Sequence, residues 1–133
     1  MKVLLDTHAM LWWWTDPAQI PTATLALLSD PGTEILASAV SAYELAYKHQ
    51  LGKLNLPTSL LTEFEEAVAA EHWTALPVNI AHSLLAGQLP LPHRDPFDRL
   101  LAAQAMLEKA VLITVDPVFA TFSGLRTLWA SAS

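Results

Sequence analysis

The sequence contains no cysteine among its 133 residues. This absence excludes disulfide bonds, thiolate zinc sites and cysteine nucleophiles, and it agrees with a reducing compartment. The sequence also has no apolar run long enough to cross a bilayer, although 53% of its residues are hydrophobic. The apolar run at the amino end stops at Asp6, which is too early for a secretion signal. We therefore expect a cytoplasmic protein without membrane contact.

Positive charge is scarce, with 7 Lys and Arg residues against 13 Asp and Glu residues and a net charge of −6. Contacts to nucleic-acid phosphates normally come from Lys and Arg, so this balance taken alone argues against such a partner. The conclusion reverses if several carboxylates converge and bind divalent cations, which attract phosphate. Four basic residues lie in the same two segments as the candidate acids: Lys48, Lys53, Arg94 and Arg99.

The pattern of apolar residues predicts alternating strands and helices in a single domain spanning residues 1–133, without repeats or linkers. Buried strands are predicted at 2–5, 34–37, 73–78, 111–115 and 126–129, and helices at 21–28, 39–51, 59–71, 80–87 and 96–109. This alternation indicates an α/β fold with a mostly parallel sheet between two helical layers. Functional groups in such folds gather beyond the carboxyl ends of the strands.

Two predicted strands are followed by aspartates at that edge of the sheet, Asp6 and Asp116. A carboxylate directly after a buried strand loses hydration, so it must be hydrogen-bonded, paired or bound to metal. Capping of the next helix explains either residue alone equally well, because Asp is a favoured N-cap and Pro117 suits the first helical position. Both interpretations stay open at this stage.

Glu44 also has a local and a functional interpretation. The segment from Ser41 to Glu44 matches a capping box, which would place the glutamate at a helix start. A helix that begins near Ser38 instead carries Glu44 on its second turn, among residues that suggest burial. Lys48 lies one turn later and could form a simple i,i+4 ion pair with it.

A third acidic segment opens the longest predicted helix. Asp95 followed by Pro96 resembles an N-cap and first-turn pair, which leaves Asp98 in the first turn near the positive end of the helix dipole. We assign Asp95 to capping first. The helix after Asp98 is apolar almost all round, which favours a buried site over a solvated surface.

Clustered carboxylates indicate a particular chemistry. Like charges repel and raise one another's pKa, so a cluster of anions needs bound cations. Mg²⁺ and Mn²⁺ prefer oxygen ligands, retain water and engage phosphate. One or two such ions can activate water and stabilise the leaving oxygen when a phosphodiester bond is hydrolysed, with no covalent enzyme intermediate.

The same residues resemble the motifs of VapC-type PIN-domain toxins, the ribonucleases of type II toxin–antitoxin systems. The motifs occur in the family's order over almost the whole chain, and the longest is the most specific. They are DTHA at 6–9, SAVS at 38–41, ELA at 44–46, GKL at 52–54, HRDPFDRLLAAQA at 93–105 and LITVD at 112–116. Two departures, Tyr43 in place of a common tryptophan and Pro117 after the last acid, leave every carboxylate in place.

The resemblance implies a PIN-like three-layer domain and an endoribonuclease that depends on Mg²⁺ or Mn²⁺. It assigns Asp6 and Asp98 as principal metal ligands, Glu44 as holding a ligand or its water, and Asp116 as completing the site. Thr7 and Thr114 would hydrogen-bond these acids from behind. The implied partners are an RNA substrate, a VapB-like antitoxin whose tail blocks the acidic groove, and a second copy of the chain in a homodimer. The candidates for RNA contact are Lys48, Lys53, His93, Arg94 and Arg99, although a surface-loop role explains His93 and Arg94 at least as well.

Other functions fit the sequence less well. A receiver-like phosphoacceptor module, the main alternative, expects an acidic pair after the first strand and a lysine closing the last core strand, and neither is present. A haloacid-dehalogenase-type phosphatase expects an aspartate where His8 stands. The five histidines lack zinc-site spacing.

We expect Trp12, Trp13 and Trp14 to form core and interface, and we expect a solvated face from Glu63, Glu65, Glu66 and Glu71.

Overall fold

A computed structural model of the chain describes residues 1–90 and 95–129, which build one five-stranded sheet. The strands are β1 (Lys2–Leu5), β2 (Glu34–Ser38), β3 (Thr74–Leu76), β4 (Val111–Ile113) and β5 (Thr127–Leu128). Their order is β3-β2-β1-β4-β5, and every neighbouring pair is parallel. The predicted α/β class with a mostly parallel sheet is confirmed.

Seven α-helices accompany the strands over the described residues. They are α1 (Thr7–Thr15), α2 (Thr22–Ser29), α3 (Ala39–Gln50), α4 (Thr58–Thr62), α5 (Phe64–Ala70), α6 (Ile80–Gln88) and α7 (Pro96–Leu107). Short 3-10 helices lie at Pro17–Gln19 and Pro117–Thr121. Of these helices, none over residues 1–90 and 95–129 is long and apolar enough to span a membrane.

The two faces of the sheet pack against different helices, because side chains alternate along a strand. On one face, Val3 and Leu5 belong to a core cluster that includes residues of α1, α2 and α5. On the other face, Leu4 belongs to a cluster with residues of α3 and α7. A third, smaller cluster joins Leu45 of α3 to Leu56. The result is the three-layer α/β/α arrangement that the sequence predicts.

Several predicted boundaries were wrong. Helix α1 was not predicted, and the predicted helix 59–71 is two helices separated at Glu63, whose φ of −119° is not helical. The break lets Leu60 pack near Leu45 and Leu56 while Val68 packs on the sheet. Strands β3, β4 and β5 are shorter than predicted. Strand β4 ends at Ile113, and the N–H of Thr114 still donates to the carbonyl of Leu128 at 3.1 Å before the chain turns into the capping segment of the following 3-10 helix.

The path of the chain through the sheet creates a crevice at one edge. From the central strand β1 the chain runs outward through β2 and β3, then crosses to build β4 and β5 on the other side. The strand order therefore reverses between β1 and β4, which are neighbours at the centre of the sheet. Parallel α/β sheets bind ligands in the crevice at such a switch point. The backbone N–H of Asp6 donates to the carbonyl of Ile113 at 3.0 Å, which joins the ends of β1 and β4 there.

Candidate active site

A cavity of about 90 Å³ opens beyond the carboxyl ends of β1 and β4. One water molecule occupies roughly 30 Å³ in the liquid, so the cavity has room for a small hydrated ion. Five carboxylates from four segments line it together with one lysine and one histidine among the described residues: Asp6, Glu44, Asp95, Asp98, Asp116, Lys48 and His8. The four predicted acids, far apart in the sequence, thus meet at one place.

Asp6 serves as both helix cap and cavity wall. Its Oδ1 accepts a hydrogen bond from the backbone N–H of Ala9 at 2.7 Å, which caps α1, and the residue is 5% exposed. Burial raises the pKa of its carboxyl group, and the negative charge of Glu44 adds to this effect. Hydrogen bonds from Thr114 and Ala9 and the charge of His8 oppose the increase without cancelling it. Metal binding would relieve the cost of this buried anion.

Glu44 lies on the second turn of α3, because the helix is capped by Ser38 and not by Ser41. The Ser38 hydroxyl accepts from the N–H of Val40 at 2.9 Å, which excludes the capping-box interpretation of Glu44. The glutamate is 4% exposed. Thr7 donates its hydroxyl hydrogen to Glu44 Oε1 at 2.5 Å. The side chain is therefore oriented by a hydroxyl group from the start of α1.

Asp98 and Asp95 reach the cavity from the start of α7. Asp95 is the N-cap, as predicted, and its Oδ1 accepts from the N–H of Phe97 at 2.9 Å. Asp98 occupies the first turn and is half-buried. Arg99, a candidate for RNA contact, turns away and donates to the carbonyls of Ala86 at 3.0 Å and Leu89 at 2.8 Å. It ties α7 to the end of α6 and does not line the cavity.

Asp116 completes the ring of acids from the segment after β4. Its Oδ1 accepts from the N–H of Val118 at 3.0 Å and caps the following 3-10 helix, while the residue remains exposed. The Thr114 hydroxyl oxygen accepts from the N–H of Asp116 at 3.0 Å, and its hydrogen bond to Asp6 lowers the pKa of Asp6. Asp6 and Asp116 therefore each cap the following helix and also line the cavity, so the two interpretations of these aspartates are compatible.

Lys48 supplies positive charge inside the cavity wall. Its ammonium group is bound to Glu44 Oε2, and its side chain is 29% exposed. Burial lowers the pKa of Lys48, but its hydrogen bond to Glu44 and the charges of Glu44, Asp95 and Asp98 outweigh burial, so the pKa is raised. His8 also lines the cavity, although it was not among the predicted site residues. Its position directly after Asp6 and Thr7 was the sequence feature that indicated it.

The remaining predictions concern RNA contact, core residues and a solvated face. Lys53 is exposed and outside the cavity lining, and His93 and Arg94 lie outside the described residues. Trp13 and Trp14 pack on the core cluster beside the sheet, as expected for core residues. Three of the four glutamates expected on a solvated face are exposed, namely Glu63, Glu65 and Glu66, whereas Glu71 accepts from Trp13 Nε1 at 2.6 Å.

The donor set fits a hard divalent cation. Carboxylate oxygens are the ligands that Mg²⁺ and Mn²⁺ prefer, and a hydrated ion suits the cavity volume. Within residues 1–90 and 95–129, no three His, Asp or Glu side chains are already grouped as metal ligands. Protein donors engage the acids instead: Ala9 on Asp6, Val118 on Asp116, and Lys48 on Glu44. Small side-chain rotations would have to accompany metal binding.

Comparison with known proteins agrees with this geometry. The family model of the PIN domain matches residues 3–125. Ribonuclease VapC22 of Mycobacterium tuberculosis is 31% identical over 117 residues, covering 86% of this chain and 86% of that protein. These matches favour the PIN-domain family over the alternative, a receiver-like phosphoacceptor module.

Solved structures share the fold at low sequence identity. The structure of VapBC2 from Rickettsia felis, bound to a DNA fragment from its promoter, has a TM-score of 0.72 at 18% identity and covers 96% of this chain and 98% of that one. DNA-bound VapBC from Salmonella typhimurium has a TM-score of 0.73 at 17% identity, with coverage of 98% and 99%. The fold, the matched family model and the curated relative lead to the same conclusion: the chain belongs to the PIN-domain family, as a VapC-type member.

Proposed function

We propose that the protein is the toxin of a type II toxin–antitoxin pair and acts in the cytoplasm as an endoribonuclease that depends on Mg²⁺ or Mn²⁺. The observation that carries the proposal is the meeting of Asp6, Glu44, Asp98 and Asp116 at one cavity. Its support from relatives is the 31% identity to a ribonuclease over most of the chain. The family assignment favours RNA over other phosphodiesters as the substrate.

The residues of the cavity have distinct parts in this mechanism. When bound, one or two divalent cations would activate water and stabilise the leaving oxygen of the RNA strand. Asp6 and Asp98 would be the principal ligands, with Asp116 completing the set at the exposed side. Glu44, oriented by Thr7, would hold a further ligand or a water molecule. Thr114 would orient Asp6 in the same way.

Substrate binding in an acidic protein needs local positive charge. Lys48 is the best-placed candidate for contact with an RNA phosphate, since it lines the cavity. Lys53 lies on the exposed turn after α3 and could contact RNA farther from the cleavage point. Arg99 holds α7 against α6 and would therefore support the site only indirectly. His93 and Arg94 stay candidates for RNA contact because they directly precede the acidic start of α7 in the sequence.

The proposed partners follow from the site and from the relatives. VapBC complexes among similar structures support a VapB-like antitoxin for this chain. Its tail would cover the cavity and present a cation, such as an arginine, to the carboxylates. We also propose a homodimer, supported by exposed apolar side chains on α3 and α6: Tyr43, Tyr47, Ile80 and Leu84.

Asp98→Asn tests the proposed function directly. It removes charge but keeps shape, so the protein should fold while Mg²⁺-dependent or Mn²⁺-dependent RNA cleavage falls by about a hundredfold or more, a loss of about 3 kcal/mol in transition-state stabilisation. The measurement is cleavage of purified cellular RNA by the purified protein with and without EDTA, alongside growth arrest on expression without a partner.

Glu65→Gln is the matched control, because Glu65 is exposed on α5 and also loses one negative charge. It should cleave RNA and arrest growth as the wild type does. If Asp98→Asn and the wild type produce identical RNA ends and equal toxicity, the assignment of Asp98 fails. If the wild type cleaves RNA equally well in EDTA, the metal-dependent mechanism fails.

A further inference from the structure

The contact between Lys48 and Glu44 involves the site itself. Lys48 follows Glu44 by one turn of α3, and its ammonium group is bound to Glu44 Oε2. The other oxygen, Oε1, accepts the hydroxyl hydrogen of Thr7 at 2.5 Å. Both carboxylate oxygens are therefore engaged by donors of the protein. A cation that approaches Glu44 meets the positive charge of the Lys48 ammonium group there, and the two like charges repel.

This ion pair differs from an ordinary pair on a helix surface. Surface pairs contribute little because water screens both charges. Here the carboxylate partner is 5% exposed while the lysine side chain is 29% exposed. Removing the partner of a buried charge leaves that charge uncompensated, which is costly. The lysine therefore stabilises a carboxylate that water reaches poorly.

The surroundings of Lys48 add to this asymmetry. Asp95 and Asp98 line the same cavity, so the ammonium group lies in a strongly negative environment. No other Lys or Arg among the described residues lines that cavity. A divalent cation and the lysine would thus be attracted by the same group of anions.

We infer that Lys48 is a tethered counter-ion of the active site, which neutralises Glu44 when no divalent cation is bound and competes with the cation for that carboxylate. The inference rests on the proposed function, because that function places Glu44 next to the metal. Lys48 is a positioning residue in this scheme. Its flexible four-carbon stem lets the ammonium group leave Glu44 when a metal ion is bound.

The competition has a functional consequence. The lysine keeps the acidic cavity folded in the metal-free protein, and it lowers the affinity for the metal by the free energy of the broken ion pair. On release, the same ammonium group is free to meet a substrate phosphate at the cavity. Metal occupancy and phosphate binding would then be linked through one side chain of α3.

Lys48→Met tests the inference by removing the charge from an unbranched side chain. Isothermal titration of Mn²⁺ into the metal-free protein should show affinity about tenfold tighter than wild type, equivalent to about 1.4 kcal/mol. Lys48→Arg keeps the charge and should stay near wild type. Lys53→Met is the matched control, because Lys53 is exposed, lies outside the cavity lining and loses the same charge. It should change the affinity by less than about twofold.

Thermal unfolding provides a readout without metal. In EDTA, Lys48→Met should melt below wild type, and saturating Mn²⁺ should remove this difference. In a Glu44→Gln background, Lys48→Met should no longer lower the melting temperature, since the charge it neutralised is absent. This second background keeps the test decisive if the single variant folds poorly.

The outcomes separate this inference from the proposed function. Unchanged or weaker Mn²⁺ binding by Lys48→Met, or an unchanged melting temperature in EDTA, overturns the counter-ion role, as does a wild type that binds no Mn²⁺. If the Mn²⁺ affinities of the wild type and the Lys48 variants follow the expected order but neither the wild type nor any variant cleaves RNA, the counter-ion role stands and the ribonuclease assignment fails. If the wild type cleaves RNA while Lys48→Met matches it in both measurements, only the counter-ion role fails.

Discussion

Asp6→Asn should stabilise the metal-free protein at neutral pH while abolishing its function. Asp6 is buried, and burial together with the negative charge of Glu44 raises the pKa of its carboxyl group. The ionised form is therefore disfavoured in the folded state. Removing the charge removes this cost. The proposed metal ligand Asp6 is thus expected to reduce the stability of its own fold.

The size of the effect follows from what the substitution keeps. An asparagine oxygen can still accept from the N–H of Ala9, the bond that caps α1, and from the hydroxyl of Thr114. The main change is therefore the loss of one buried negative charge. We expect a gain of about 1–2 kcal/mol in the free energy of unfolding. For a chain of this length the melting temperature should rise by about 3–8 °C.

The pH dependence of the gain is fixed by the direction of the pKa shift. Since the folded-state pKa of Asp6 is raised above 3.8, its contribution to stability is fully present below that value. The contribution is lost as pH rises through the raised folded-state pKa. The advantage of Asp6→Asn over wild type should therefore be smallest below about pH 4 and reach a plateau above the raised pKa.

Differential scanning calorimetry in EDTA across this pH range measures the effect, with Glu65→Gln as an exposed control that should change little. Saturating Mn²⁺ should raise the melting temperature of the wild type and raise that of Asp6→Asn much less. The reasoning is refuted if Asp6→Asn melts below wild type in EDTA at pH 7.5, or if its advantage increases toward acid pH.

Two further predictions concern the framework and the assembly. Gln104 is fully buried and accepts from the Ser38 hydroxyl at 2.5 Å while donating to the carbonyl of Pro77 at 3.2 Å, so Gln104→Leu should cost about 2–4 kcal/mol in urea unfolding. A loss below about 0.5 kcal/mol would contradict this buried network. Tyr47 is 47% exposed on α3, and Tyr47→Glu should convert the proposed homodimer to a monomer in light-scattering measurements. A dimer of unchanged mass and dissociation constant would place the interface on another face.

Local sequence signals were sufficient for most of the framework. Buried strands are short and continuously apolar, which is why β1 and the start of β4 were located correctly. Asp95 was predicted as an N-cap because Asp followed by Pro is a local signal. Helix α1 was missed because its WWW segment is apolar on every side and shows no helical period.

Contacts between distant segments were harder to predict. The break at Glu63 depends on which core cluster each half of the segment meets, and the periodicity does not contain that information. The start of α3 was ambiguous for a similar reason. Ser38 and Ser41 both suit an N-cap, and the structure has Ser38 in that position. The Ser38 hydroxyl also donates to Gln104 of α7, which lies 66 residues later in the sequence.

The sequence by itself determined the class of the fold, the family and four of the five carboxylates that meet at the cavity, because periodicity, caps and motifs are properties of neighbouring residues. Only the tertiary structure decided that Thr7 orients Glu44, that Arg99 faces the end of α6, and that Lys48 lies within the ring of carboxylates. These facts depend on how the helices pack across the switch point of the sheet. Side-chain partners there come from segments that the chain brings together only on folding.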